Sequence, residues 1–114
     1  MIIAGQADTH VPVPMVAQLL DALARQPPAP WFVDLPTAGH WIYIDFCPTG
    51  DPNCGPDRLP EAQGQAYVKR WAAAFLLRSV AGDARYVALL DPAHAGDPSE
   101  IRVERRRLGA AARP

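Results

Sequence analysis

Two short stretches decide the fold of this chain, MIIAGQADTHVP over residues 1–12 and WFVDLPTAGH over residues 31–40. Each begins with an apolar, β-branched or aromatic run and continues into a turn-rich segment, which is typical of a buried strand followed by a loop. Between them, apolar side chains recur at helical spacing from Pro14 to Leu23, and proline is favourable in a first helical turn. The order strand, helix, strand predicts an α/β fold with parallel strands.

A second helix is predicted after an irregular segment. Residues 41–60 are rich in glycine and proline, whereas residues 61–80 place an apolar face that includes Trp71 and Phe75 at helical spacing. Residues 86–90, with the sequence YVALL, suit one more strand or an extended segment. Two or three strands make a poorly covered parallel sheet. We therefore expect an incomplete sheet, and a chain that is one part of a larger fold.

Length and composition are those of an ordinary globular domain. The chain has 114 residues, of which 49% are hydrophobic and 20% charged, and a formal net charge of −1. This balance argues against a broadly basic nucleic-acid-binding surface, and no apolar run reaches the roughly 18 residues that a membrane span needs. Basic residues predominate only from residue 100 onward, where there are five against two acidic ones. We predict a domain over residues 1–90 and a basic, flexible tail over residues 91–114.

An acid and a histidine follow the two predicted strands. Asp8 lies in the loop after the first strand and His40 in the loop after the second, and the loops after parallel strands meet at the same edge of a sheet. A carboxylate there can accept the Nδ1 proton of the imidazole, fix its tautomer and stabilise its charged form. The Nε2 nitrogen is then free to take a proton from a nucleophile. We therefore predict that Asp8 and His40 form a catalytic pair.

The residues around this pair resemble the last part of the α/β-hydrolase fold. In IIAGQADTHVP, over residues 2–12, an apolar strand is followed by a glycine, two residues and an aspartate, which is similar to the segment that carries the acid in that family. LPTAGH, over residues 35–40, is similar to the turn that presents the catalytic histidine. The order acid then histidine also agrees with that family. The resemblance implies that residues 1–90 form the C-terminal portion of an α/β-hydrolase, with its last two parallel strands and their flanking helices.

The chain departs from this family in its nucleophile. The family has a serine in a Gly-x-Ser-x-Gly turn upstream of the acid, but only seven residues precede Asp8, and neither Ser79 nor Ser99 lies in such a turn. We interpret the chain as a fragment of a serine esterase in which Asp8 and His40 act with a nucleophile from a missing N-terminal part. Alone, the chain is expected to be inactive. The alternative is a non-catalytic α/β remnant or an interaction module.

The segment after His40 carries both cysteines. HWIYIDFC, followed by Cys54, resembles dienelactone-hydrolase-like and platelet-activating-factor-acetylhydrolase-like esterases, which implies a small-molecule ester as substrate. In CPTGDPNC, over residues 47–54, proline and glycine let the chain turn back and bring Cys47 and Cys54 together. We predict a disulfide and, with it, an extracytoplasmic, oxidising compartment. The alternative is a pair of reduced thiols in a cytosolic protein.

Other ligand sites have less support in the sequence. Asp8, His10 and His40 are residue types that bind zinc, but no HExxH-type helix accompanies them. We interpret His10 as a surface residue or as the lip of a substrate site, and predict no partner for His94. The segment over residues 51–61 lacks the glycine position and the preceding helix of an EF-hand loop. There is no glycine-rich phosphate loop, so no cofactor is predicted.

Overall fold

The computed structural model describes residues 1–25 and 30–105 and shows a small mixed sheet covered by helices. Its main elements are β1 (Ile2–Gly5), α1 (Val13–Ala24), β2 (Trp31–Leu35), α2 (Glu61–Ser79) and β3 (Arg102–Arg105). The strand order is β1-β2-β3, with β1 parallel to β2 and β2 antiparallel to β3. The predicted α/β class and the parallel strand pair are therefore confirmed. None of the helices in the described ranges combines the length and the apolar character needed to cross a bilayer.

The two parallel strands end together. They pair from Ile2 with Phe32 to Gly5 with Leu35, and beyond the strands the Gln6 N–H donates to the Leu35 carbonyl at 3.1 Å. Because the strands are parallel and end at paired residues, the loops that follow them leave the same edge of the sheet. This register places the loop that contains the acid beside the loop that contains the histidine.

The two helices cover opposite faces of the sheet. α2 packs over the face that carries Val33 and Leu35, where its Trp71 is fully buried. α1 packs on the other face through Leu20, which is 1% exposed and lies against Ala4. Successive residues of a strand point to opposite faces. The short strands therefore contribute side chains to both clusters.

Residues 86–90 do not form the predicted strand or extended segment. The chain instead makes two short 3-10 turns, Ala84–Tyr86 and Ala88–Leu90. Their backbone groups bond locally, as where the Leu90 N–H donates to the Val87 carbonyl at 3.1 Å, so these turns need no neighbouring strand. Leu90 is the one fully buried residue of this run. The apolar run is thus a turn anchored by a single side chain.

A third strand lies where a flexible tail is predicted. β3 pairs antiparallel with β2, with Val103 opposite Val33, and Ile101 just before it is 1% exposed. The sequence IRVER, over residues 101–105, alternates apolar and charged residues, a pattern that favours a half-buried strand. The basic composition of this region conceals that signal. The rest of the predicted tail, residues 106–114, lies outside the described residues.

Replacing Leu20 by alanine is expected to lower the free energy of unfolding by about 3 kcal/mol, because it leaves a cavity between α1 and the sheet. Its neighbour Leu19 is 52% exposed, so Leu19→Ala is the matched control and should change that free energy by less than about 0.5 kcal/mol. Urea unfolding followed by tryptophan fluorescence measures both. Equal losses in the two variants would contradict the described packing of α1.

Candidate functional site

Asp8 and His40 meet at the edge of the sheet where β1 and β2 end. The Nδ1 atom of His40 lies 2.9 Å from Asp8 Oδ2, so a protonated Nδ1 donates to the carboxylate. The side chain of Asp8 is only 7% exposed, whereas that of His40 is 32% exposed. The structure therefore brings the two predicted residues together, with the acid shielded from water and the imidazole partly open to it.

The second carboxylate oxygen of Asp8 holds its own loop. Oδ1 accepts hydrogen bonds from the backbone N–H groups of His10 and Val11, each at 2.8 Å. Burial is the largest single influence on the Asp8 pKa and raises it. The hydrogen bonds from the two amides and from His40, together with the charge of His40, outweigh burial and leave the Asp8 pKa below its ordinary value. Asp8 is therefore ionised at neutral pH, with both oxygens engaged.

Two glycines allow the loops of the site to approach closely. A Cβ atom at Gly5 would overlap the backbone carbonyl of Ala38, and one at Gly39 would overlap the backbone carbonyl of Asn53. Because main chain occupies both spaces, an alanine at either position fits only if a loop moves. The Ala7 N–H also donates to the Ala38 carbonyl at 3.1 Å. Close backbone contact thus explains why each loop carries a glycine shortly before its functional residue.

Residues 47–54 form a third segment of the site, which the sequence does not assign to it. Cys47 and Cys54 lie at disulfide-bonding distance, with Cα atoms 6.1 Å apart, so their predicted proximity is confirmed. Between them, the buried Asn53 accepts a hydrogen bond from the Thr9 N–H at 2.8 Å. The Asp-Pro-Asn sequence indicates a turn at this place. Only the fold reveals that the turn packs on the loop of the acid.

Two aromatic rings surround the outward side of His40. The ring of His10 lies 4.8 Å and that of Trp41 5.1 Å from the His40 ring, both edge to face. His10 Nε2 also lies 3.4 Å from Asp51 Oδ2. Hydrogen bonds from the backbone and then the side chain of Asn53 hold the pKa of Asp51 well below its usual range. His10 is therefore a direct neighbour of His40 at the surface of the site.

No serine of the described residues reaches His40. Ser79 is the last residue of α2, and Ser99 donates from its hydroxyl to Asp97 Oδ1 at 2.7 Å in the loop before β3. Within residues 1–25 and 30–105, no hydroxyl or thiol forms a hydrogen bond with His40 Nε2. In these ranges the Nε2 atom is thus a base without a bound nucleophile.

A metal site does not form in the part of the chain that the structure describes, because no three metal-binding side chains converge there. Asp8 and His10 lie near His40, but the Asp8 carboxylate bonds to His40 Nδ1 and to backbone amides, and His10 Nε2 faces Asp51. The alternative zinc site is therefore not assembled. His94 does not contact this group, and its nearest carboxylate lies three residues before it at 3.5 Å.

The contribution of Asp8 to stability is expected to depend on pH. Because the folded-state pKa of Asp8 is lowered, the stabilisation is present above about pH 4, near the pKa of an unfolded aspartate, and is lost as the pH falls through the folded-state value. The difference in unfolding free energy between the wild type and Asp8→Asn should therefore be larger at neutral pH than in acid. Urea unfolding at several pH values measures it, with Asp57→Asn, an exposed change outside the site, as control. A difference that grows on acidification would contradict the described hydrogen bonds.

Reduction of the intact protein from its native compartment is expected to raise its mass by that of two hydrogen atoms. Cys47 and Cys54 are the only cysteines of the chain and lie at bonding distance. Closing a loop of this length stabilises a fold by about 2.5 kcal/mol, so the double variant Cys47→Ser with Cys54→Ser should lose about that much. An unchanged mass after reduction would show that the pair is not bonded.

Local geometry is thus the basis on which the site is interpreted. It consists of a shielded carboxylate, an imidazole bonded to it, and a third segment closed by a cysteine pair. Comparison with known proteins finds no match, either among family models, among curated proteins or among solved structures.

Proposed function

We propose that this chain contributes the acid and the general base of a serine hydrolase of the α/β-hydrolase type, which acts on a small-molecule carboxylic ester. The observation that carries the proposal is the 2.9 Å hydrogen bond between His40 Nδ1 and Asp8 Oδ2, made by loops at the carboxyl ends of two parallel strands. The same chain order and the same end of the sheet are used by the acid and histidine of that family. The reaction class follows from this analogy, and the roles follow from the geometry.

In the proposed reaction, His40 acts first as a base and then as an acid. With Nδ1 bonded to Asp8, Nε2 carries the lone pair and takes the proton of a serine hydroxyl as the serine oxygen attacks the ester carbonyl. The Asp8 carboxylate stabilises the resulting imidazolium. Nε2 then gives the proton to the leaving alcohol as the acyl–oxygen bond breaks. A second round with water in place of serine releases the carboxylic acid and restores the free serine.

The serine and the oxyanion-hole amides are proposed to come from a segment outside the described residues. Among those residues β1 has a single neighbour, β2, so its other edge offers backbone N–H and C=O groups to a further strand. The start of α1, which packs on β1, also exposes apolar side chains at positions Val11, Met15 and Leu19. An open strand edge and an exposed apolar stripe support attachment of more of the sheet beside β1.

An extracytoplasmic location is part of the same proposal. Its support is the proximity of Cys47 and Cys54, because disulfides persist in oxidising compartments and are rare in the cytosol. The disulfide-closed segment lies against the loops of Asp8 and His40. Loss of the disulfide in a reducing compartment would therefore affect the site and not only the stability of the chain.

The decisive experiment uses the product of the complete reading frame that contains this chain. We expect an in-frame Gly-x-Ser-x-Gly upstream of the Met1 codon and a serine there that a fluorophosphonate probe labels. Asp8→Asn and His40→Ala are each expected to slow labelling by about a thousandfold or more, because they remove the base or its correct tautomer. His94→Ala removes an imidazole outside the pair and is the matched control. Labelling that is unaffected by loss of His40, or a stop codon directly upstream, would favour the non-catalytic alternative.

Residues 1–114 alone are expected to show no His40-dependent hydrolysis of a short-chain nitrophenyl ester. Without the serine and the oxyanion-hole amides, an aspartate–histidine pair activates water only weakly. The open edge of β1 and the exposed apolar side chains of α1 should also make the isolated chain associate in size-exclusion chromatography. A sharp monomer peak with activity that is lost in His40→Ala would contradict both expectations.

A further inference from the structure

We propose that Asn53 is a positioning residue of this site, which holds the loop of Asp8 and the loop of His40 at the relative position where acid and base meet. The inference rests on the proposed function, because the position of the pair matters to activity only if the pair is used. It extends the machinery to a third segment, which is neither next to the acid nor next to the base in the sequence. Asn53 is also the only asparagine of the chain.

The side-chain amide of Asn53 bonds to both loops at once. Its Oδ1 accepts hydrogen bonds from the backbone N–H of Thr9 at 2.8 Å and from that of His40 at 3.4 Å. Its Nδ2 donates to Thr9 Oγ1 at 2.9 Å and to Asp51 Oδ1 at 2.7 Å. A carboxamide has two acceptor and two donor positions. All of them are engaged here, so the amide has one orientation that satisfies every partner.

The two backbone amides that bond to this side chain adjoin the reacting groups. Thr9 follows Asp8 directly, and the next two amides of the same turn, those of His10 and Val11, donate to the Asp8 carboxylate. The other amide is that of His40 itself, so it fixes the backbone from which the imidazole projects. One buried side chain thus constrains the donors to the acid and the base at the same time.

Asn53 is itself held in place on several sides. It is 4% exposed, and its backbone carbonyl packs against Gly39, where no Cβ fits. The Asp51 carboxylate accepts hydrogen bonds from both its backbone N–H and its side chain, at 2.8 and 2.7 Å. The Cys47–Cys54 pair closes the segment around it. A supporting group orients a functional residue only when its own conformation is fixed, and these contacts meet that condition.

The chemistry of the amide dictates the variants that test it. Asn53→Leu keeps the approximate shape but leaves the N–H groups of Thr9 and His40 without an acceptor. Asn53→Asp alone loses both donors and places a second carboxylate beside Asp51. Combined with Asp51→Asn, it again provides one carboxylate and one amide, with acceptors for both N–H groups. The exchanged pair is therefore the conservative rescue.

The test follows the Nδ1 proton of His40 by NMR in the full chain. In the wild type this proton is expected to be visible and slow to exchange with water, and to be lost in Asp8→Ala. In folded Asn53→Leu its exchange should be about tenfold faster, and the Asp8 pKa, followed by carboxyl carbon shifts, should rise toward its ordinary value. Asp57→Asn, an exposed change near the same segment, is the matched control and should leave both readouts unchanged.

The exchanged pair separates positioning from stability. It is expected to restore most of the slow exchange, although two substitutions in a buried cluster lower the free energy of unfolding. A residue that contributed only stability would reduce the folded fraction but would not move the exchange of the Nδ1 proton or the Asp8 pKa in molecules that remain folded. Both readouts unchanged in folded Asn53→Leu would overturn the positioning role and leave the proposed function standing.

Two further outcomes are distinguishable from that one. If the wild type shows no Nδ1 proton that depends on Asp8, the pair itself does not form, and the proposed function falls together with the inference. If Asn53→Leu does not fold, hydrogen exchange in the wild type decides. The backbone N–H groups of Thr9 and His40 are expected to be protected, because both donate to a buried acceptor. Rapid exchange of these two groups would overturn the positioning role.

Discussion

The parallel pairing of β1 with β2 is the constraint on which the candidate site depends. Gly5 pairs with Leu35, so the two strands end side by side, and Asp8 and His40 follow three and five residues later. A shift of this register by one residue would turn every side chain of a strand to the other face of the sheet. It would also separate the loops. The burial of side chains on both faces therefore fixes the geometry of the acid–histidine pair.

The part of the site that the sequence predicts is the part built from local signals. Each strand is a short apolar run, each loop contains a glycine, and Asp8 and His40 lie within a few residues of these features. The proximity of Cys47 and Cys54 is equally local, since proline and glycine between them turn the chain back. In these cases the information needed lies within about ten residues, which is the range over which backbone preferences act.

The features that the sequence does not predict depend on distant partners. Asn53 bonds to Thr9, 44 residues away, and to His40, 13 residues away, and nothing in its immediate neighbours indicates either contact. β3 is stabilised by pairing with β2, while its own composition is that of a solvated segment. Conversely, the apolar run over residues 86–90 has the composition of a strand, but the fold buries only Leu90 and the turns satisfy their own backbone.

The two edges of the sheet differ in chemistry, and this has a consequence for how the chain assembles. β3 carries the charged residues Arg102, Glu104 and Arg105 along its short edge, and charged edge strands resist further pairing. The edge of β1, in contrast, is continuous with an apolar helix surface. Growth of the sheet is therefore directional. A strand added at β1 terminates the assembly as a discrete unit, whereas a sheet with two permissive edges would propagate into a filament.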